Sequence, residues 1–440
     1  MNLRHAASCG LLCAALLLTG CDEGRKNPPD VTVRVANVAP TFQELGFRRE
    51  QSAVRAIAFK DAQENRWDAD TYDFFVDERA VALNSTPRRW TFSRELSEEI
   101  EYTFVLIEVG GEVQPVVMEA LDAPTADAQI AALHAAGGLP AMDLYLERPG
   151  VGIAGATPRG TFNFQEQISP HGLAGGEYEL WLTAAGNPAN VLLTSATITL
   201  TAGFTTTFVV APETGSGVTQ LSVLMIQGGA SVLYDRNAAG ELRVINAATD
   251  TEPRDVAVNS VFSPPFFSAA PYAGPTAYMP IAVGSHTINV TPIGNPGVLE
   301  LETQIAVLPA TRTTMMFTGP AGALVYAVMT DDGRRIQNEA KVNFMNAATQ
   351  FLAVDYVLTA TGADPTNVPP VSVLGVPGTL FSYNHFPPGT YDLYLRETAT
   401  GALLTGATPI TIAGGGIYGV LATNGPDTAT ATVTLYDDFP

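Results

Sequence analysis

The chain has 440 residues, 46% hydrophobic and 15% charged, a composition that excludes disorder and leaves room for about two to four domains. Its formal net charge is −21, from 44 acidic and 23 basic residues. With no Lys/Arg stripe to offset that charge, nucleic acid is excluded as a partner. Lys26, Lys60 and Lys341 are the only lysines, and the 40 glycines and 31 prolines fall between short apolar runs rich in Val and Thr. Many short strands broken by turn residues predict an all-β protein.

Residues 1–20 read as a signal peptide. Arg4 and His5 precede an apolar stretch from Ala6 to Leu18 that is too short to span a bilayer permanently. It ends in Leu18-Thr19-Gly20-Cys21, which resembles a bacterial lipobox, so Cys21 is the expected lipidation site. Cys9 and Cys13 would leave with the signal peptide. The mature chain would then hold no disulfide, no thiol nucleophile and no cysteine metal site. Residues 21–30 are the lipidated cysteine and a polar tether containing Pro28-Pro29. Membrane lipid, reached through the acyl chains on Cys21, is the first expected partner.

Four markers then recur four times in the same order. The first is an opening strand, VTVRVANVA from Val31, ALHAAGG at 132–138, ELRVINAAT from Glu241 and KVNFMNAAT from Lys341. Asn37, Gly137, Asn246 and Asn346 are taken as equivalent, at spacings of 100, 109 and 100 residues. The second is TYDFFVDE (71–78), EYELWLTA (177–184), SHTINVTP (285–292) and TYDLYLRE (390–397). It aligns Tyr72, Tyr178, His286 and Tyr391, and glycine precedes three of the four copies (Gly176, Gly284, Gly389). The third runs through YTFVLI (102–107), TTFVVA (206–211), TTMMFT (313–318) and IYGVLA (417–422). The fourth is VQPVVME (113–119), QLSVLMI (220–226), ALVYAVM (323–329) and ATVTLYD (431–437). Alternation in the second marker sends Tyr391, Leu393 and Leu395 to a core and Asp392, Tyr394 and Arg396 outward. About seven such strands per 100 residues is the size of an immunoglobulin-like sandwich. The expected divisions are 31–127, 128–235, 236–338 and 339–440.

LRVINAA (242–248), FMNAA (344–348), PGTYDLYL (388–395) and GGEYELWL (175–182) resemble a bacterial domain of unknown function. That family forms immunoglobulin-like sandwiches in tandem on secreted and lipid-anchored envelope proteins. The resemblance covers 31–440 in four copies, most strongly the third and fourth, and brings no catalytic residues with it.

Chemical motifs are sparse. GVGIAG (150–155) fits G-x-G-x-x-G, but Pro158 and Gly160 follow where a helix would have to begin, so it reads as a loop between strands. His134, His171, His286 and His385 are not spaced as a metal pair. His286 takes a tyrosine's place in a strand, and His171 and His385 are expected in turns. No G-x-S-x-G elbow occurs. Asp61, Glu64, Asp68 and Asp70 are expected as loop carboxylates, either solvated or a candidate calcium site. No other cofactor or metal is expected. Phe75, Trp181 and Tyr394 share one outward strand position and form a candidate recognition surface, or else pack against neighbouring domains.

The sequence therefore predicts a non-catalytic, lipid-anchored envelope protein acting in spacing, adhesion or protein interaction. The alternative is a carbohydrate- or peptide-binding module using the sandwich-end loops or the aromatics. Short polar linkers such as 235–240 and 331–335 predict an elongated row of four domains, each able to fold alone.

Overall fold

The structure is a computed structural model that describes residues 30–79, 87–122, 126–213 and 220–439. The expected signal peptide, the expected lipidation site Cys21 and the expected tether up to residue 29 lie outside these residues. Among the described residues there are 35 strands and no helix, so none is long and apolar enough to cross a membrane.

The first sandwich shows the plan. Its strands are β1 (Asp30–Asn37), β2 (Glu44–Arg49), β3 (Arg55–Ala58), β4 (Asp61–Asp68), β5 (Thr71–Glu78), β6 (Arg89–Glu95), β7 (Ile100–Val109) and β8 (Glu112–Leu121). One sheet runs β4-β1-β7-β8 and the other β3-β2-β5-β6. β1 lies parallel to β7 and the other neighbours are antiparallel. Val33, Val35, Phe47, Phe74 and Phe104 meet in the core between the two sheets. This four-against-four order departs from the four-against-three arrangement of antibody constant domains.

The same order returns three times, giving eight sheets in four sandwich-like pairs. Each opening strand (Ala128–His134, Gly240–Ala248, Ala340–Asn346) is parallel to a later one (Thr205–Pro212, Arg312–Gly319, Ile417–Asn424). The fold is tandem β-sandwiches, as the strand pattern predicts.

Two side-chain devices recur. Tyr72, Tyr178 and Tyr391 each donate from the hydroxyl to the carbonyl four residues earlier, on Asp68, Ala174 and Pro387, at 3.1, 2.7 and 2.8 Å. His286 reaches the carbonyl of Ala282 from Nε2 at 2.6 Å, in the tyrosine's place. The hydrogen bond pins the turn before the strand, while the ring closes the end of the core. Tyr72 and Tyr178 are buried and Tyr391 half-buried. Removing one such bond leaves an inward carbonyl without its donor. Tyr178→Phe and Tyr391→Phe should therefore each lower stability by about 1 kcal/mol, read as a drop in urea midpoint at constant slope.

The second device is an amide at the end of the opening strand. Asn37, Asn246 and Asn346 each accept the backbone N–H two residues on, at 3.0, 3.1 and 2.9 Å. In the second sandwich this acceptor is His134 Nδ1, 3.2 Å from the Ala136 N–H, and not Gly137. The equivalent position is therefore three residues before Gly137, where a histidine does an asparagine's work. Burial pushes the His134 imidazole below its usual range.

The sandwiches do not stand in a row. The opening strands and their parallel partners are buried on both faces, with patterns such as eBBBBBBB in β1 and BBBBBBB in Ala340–Asn346. The second face of β1, β7 and β8 (Ala36, Val105, Ile107, Met118) packs against Ala131, Leu133, Val209 and Leu224 of the second sandwich. Ile245, Ala247 and Met316 of the third pack on Met345, Ala347 and Leu421 of the fourth. The fold is thus two face-to-face pairs of sandwiches. The short linkers imply a row, but a short linker also permits neighbours to fold back face to face. The unbroken apolar runs are the stronger signal, since a strand buried on both faces has no polar alternation.

Candidate functional site

The expected recognition residues are not brought together. Phe75 lies outward on β5 beneath two arginines, with Arg48 Cζ 4.4 Å and Arg89 Cζ 5.8 Å from its ring centroid. Asp77 holds both arginines. Trp181 is half-buried beside Arg236, at 5.8 Å. Tyr394 is buried in the strand Gly389–Glu397. In the third sandwich Asn289 fills this position, bonded to Glu302 at 2.9 Å.

The candidate calcium carboxylates sit differently from the expected loop. Asp61, Glu64 and Asp68 belong to strand β4, and Asp70 lies in the turn after it. Asn65 is buried and Trp67 packs on the core, so the alternation of a half-buried strand spreads the acids over it. Glu64 pairs with Arg34 at 3.1 Å. Asp61 and Asp70 each accept the backbone N–H of the next residue. Among the described residues no group of three or more His, Cys, Asp or Glu side chains is placed to hold a metal. The GVGIAG segment is a loop between Met142–Glu147 and Gly160–Phe162, with Gly150, Gly152 and Gly155 all at positive φ.

Polar chemistry is concentrated where the third and fourth sandwiches face each other. Arg243 is buried on the opening strand of the third. Its guanidinium lies 2.6 Å from Asp438 and 3.5 Å from Asp331, and its Nε donates to Thr314 at 2.7 Å. Asp331 also accepts from Thr314 (2.6 Å) and Tyr278 (2.9 Å). Tyr383 donates to Asp438 at 2.5 Å. Burial raises the Asp331 carboxyl to about 6 despite Arg243 and the donors, and it pushes the Tyr278 and Tyr383 hydroxyls far up. Burial disfavours the Arg243 charge, yet Asp438 and Asp331 outweigh it and raise its pKa. Nearby, Lys341 lies 3.0 Å from Asp332 and burial pulls it down to about 8. Burial alone would raise Asp332, but Arg334 and Lys341 hold it down at about 2.

Arg34 occupies Arg243's place in the first sandwich, three residues before the asparagine. It pairs with Glu64 at 3.1 Å and Glu101 at 2.9 Å. Ala131 and Asn343 hold that place in the second and fourth. The first member of each pair thus brings an arginine to the shared face and the second a small or neutral residue. A lone arginine inside an apolar strand, as in VTVRVAN and ELRVINAA, is the sequence signal for this device, because a buried charge requires a partner.

Each pair also carries a groove where an edge strand of its first member faces an edge of its second. One, of about 350 Å³, lies between Glu119-Ala120-Leu121 and Pro170-His171-Gly172. The other, of about 290 Å³, lies between Met329-Thr330 and Phe381, Tyr383 and His385, with Gln43 of the first sandwich at its rim. His171 and His385 are thus on strands lining grooves, where turns were expected. His385 Nδ1 is 2.6 Å from Glu339.

The segment between the third and fourth sandwiches is itself a junction. Gln337 N–H donates to the Thr41 carbonyl at 3.0 Å, Arg334 reaches Gln43 at 3.1 Å, and Asn338 donates to Glu78 at 2.8 Å. Arg334 also lies 4.6 Å over the Phe59 ring. Next to it Lys60 pairs with Glu213 of the second sandwich and is pulled down by burial.

These sandwiches define a tandem, all-β protein in which some buried ion pairs lie between modules. The third sandwich is similar to a known family, described as Domain of unknown function (DUF4397), which matches residues 240–357. The match starts at the strand Gly240–Ala248 and ends inside Val354–Ala360, the second strand of the fourth sandwich. No curated protein matches the chain. Among solved structures it is similar to the Bacillus anthracis TIE protein, at 9% identity over 91% of this chain and 68% of that one, with a TM-score of 0.14. A likeness that loose carries no argument.

Proposed function

We propose that this is a lipid-anchored protein of the bacterial cell envelope, with four tandem repeats of this domain acting as a non-catalytic scaffold for adhesion or protein interaction. The observation that supports the reading most is how the buried charges are used. Arg243 and Lys60 each pair with a carboxylate of the neighbouring sandwich, Asp438 and Glu213, and Lys341 pairs with Asp332 in the junction, so they hold modules together. The lipobox before Asp30 supplies the anchor, and the acidic charge favours solubility in an exposed compartment. Asp22, next to the lipidated cysteine, resembles a retention signal for the inner membrane of enteric bacteria. The envelope sites consistent with this reading are the outer membrane, the cell surface and the periplasmic face of the inner membrane.

Cell fractionation with protease shaving tests the anchor and the exposed face together. Cys21→Ser should abolish acyl labelling and release or stall the protein. Membrane association unchanged in that variant would contradict the reading. A second reading, capture of a glycan or peptide, is favoured by the groove lined by Phe381, Tyr383 and His385. Binding on a glycan array that is lost in Tyr383→Ala would favour it over a purely structural role.

A further inference from the structure

The last strand of the third sandwich, Val325–Asp331, ends its four-stranded sheet with one edge unpaired. Its sequence, VYAVMTD, has no charge before Asp331, and Asp331 is withdrawn into the Arg243 network. Val325, Tyr326 and Val328 are 48%, 42% and 39% exposed. A long uncharged edge with exposed apolar side chains is a template for another strand.

The other sandwiches treat the equivalent edge differently. In the second, Leu221–Ile226 is covered by an extra antiparallel strand, Ala230–Leu233, in the register Val223↔Leu233 to Ile226↔Ala230. In the first, β8 carries Glu112, Pro115 and Glu119, and proline and charge both discourage strand addition. In the fourth, Val433 to Tyr436 are half-buried. The position thus accepts a fifth strand within this chain, and the third sandwich leaves it open. After Asp331 the chain goes directly into the junction at 332–339, so among the described residues no strand of this chain pairs with that edge.

We propose that the covering strand is the same strand of a second copy, added antiparallel about a two-fold axis at Val328. This register places Val328 on Val328, Tyr326 on Thr330 and Ala327 on Met329, so no carboxylate faces another despite the net charge of −21. Self-pairing of β8 would instead bring acidic residues to a shared edge. The interface is isologous and closed, and it yields a dimer and not a filament.

Disulfide trapping in the full chain tests this. Directly opposite residues bring their Cβ atoms to about 5 Å, close to the disulfide range, whereas Val325 and its two-fold mate lie six residues apart along the strand, roughly 20 Å. Val328→Cys should give a covalent dimer under mild oxidation, and Val325→Cys should stay monomeric. The parent chain, whose cysteines all fall at positions 9–21, sets the background. Adding Tyr326→Lys to Val328→Cys should suppress the dimer by placing two new cations at the pairing edge. A Val328→Cys chain that remains monomeric would overturn the proposal. So would equal cross-linking at Val325, which marks random collision, or a disulfide from Val328→Cys to a different protein.

Discussion

Arg243→Ala should lower the stability of the third and fourth sandwiches by about 3–5 kcal/mol, the usual effect of removing one partner from a buried ion pair. The substitution leaves Asp331 and Asp438, whose side chains are 0% and 1% exposed, facing each other without a cation. The placement of the tryptophans makes the effect separable. Trp67, Trp90 and Trp181 are the only tryptophans, and all lie in the first two sandwiches. Tryptophan fluorescence therefore follows one pair, while far-UV circular dichroism follows both. In urea, Arg243→Ala should move part of the dichroism transition to lower concentration and leave the fluorescence transition in place. Equal movement of both would mean that the two pairs unfold as one unit.

Asp331 gives the second large effect, and it depends on pH. Its carboxyl titrates near 6 in the fold against about 4 in an unfolded chain, so ionising it costs stability. The contribution is complete below about pH 4 and is lost as pH rises through 6, a difference on the order of 2–3 kcal/mol. The dichroism transition should therefore come at higher urea at pH 5 than at pH 7. Asp331→Asn keeps an oxygen for Thr314 and Tyr278 but cannot ionise, and it should flatten that dependence between pH 4 and 6. A wild-type slope that survives in Asp331→Asn would assign it to other acids. Two neighbours act outside this window. Lys341, pulled down to about 8, adds stability as pH rises from there toward 10. Asp332, held at about 2, adds stability that is lost below about pH 4.

The fold was legible where one face of a strand decides the pattern. Tyr178-Leu180-Leu182 and Tyr391-Leu393-Leu395 face their cores as period-two alternation requires, and His286 holds the tyrosine's place by the same hydrogen bond. It was less legible where both faces are buried. FVLI, FVVA and TMMFT read as strands, but alternation says nothing about what covers a second face, so it carries no sign of the pairing of sandwiches. The outward positions misled for a related reason. Phe75 and Tyr394 alternate correctly, yet local alternation cannot show that Arg48 and Arg89 roof the first or that the second is buried. The site was legible only as an oddity, an arginine within an apolar strand. Its partners Asp331 and Asp438 lie 88 and 195 residues further on, beyond any local pattern.

The sandwiches complete each other across a shared face, and comparison of two fragments tests this most directly. Residues 236–440 contain the whole third and fourth sandwiches, whereas 339–440 would expose Met345, Ala347 and Leu421, together with Lys341 and Asp438, on an uncovered sheet. Sedimentation and urea unfolding should find 236–440 folded and cooperative. The shorter fragment should be associated or markedly less stable. A monomeric 339–440 fragment with the same urea midpoint as 236–440 would contradict the account.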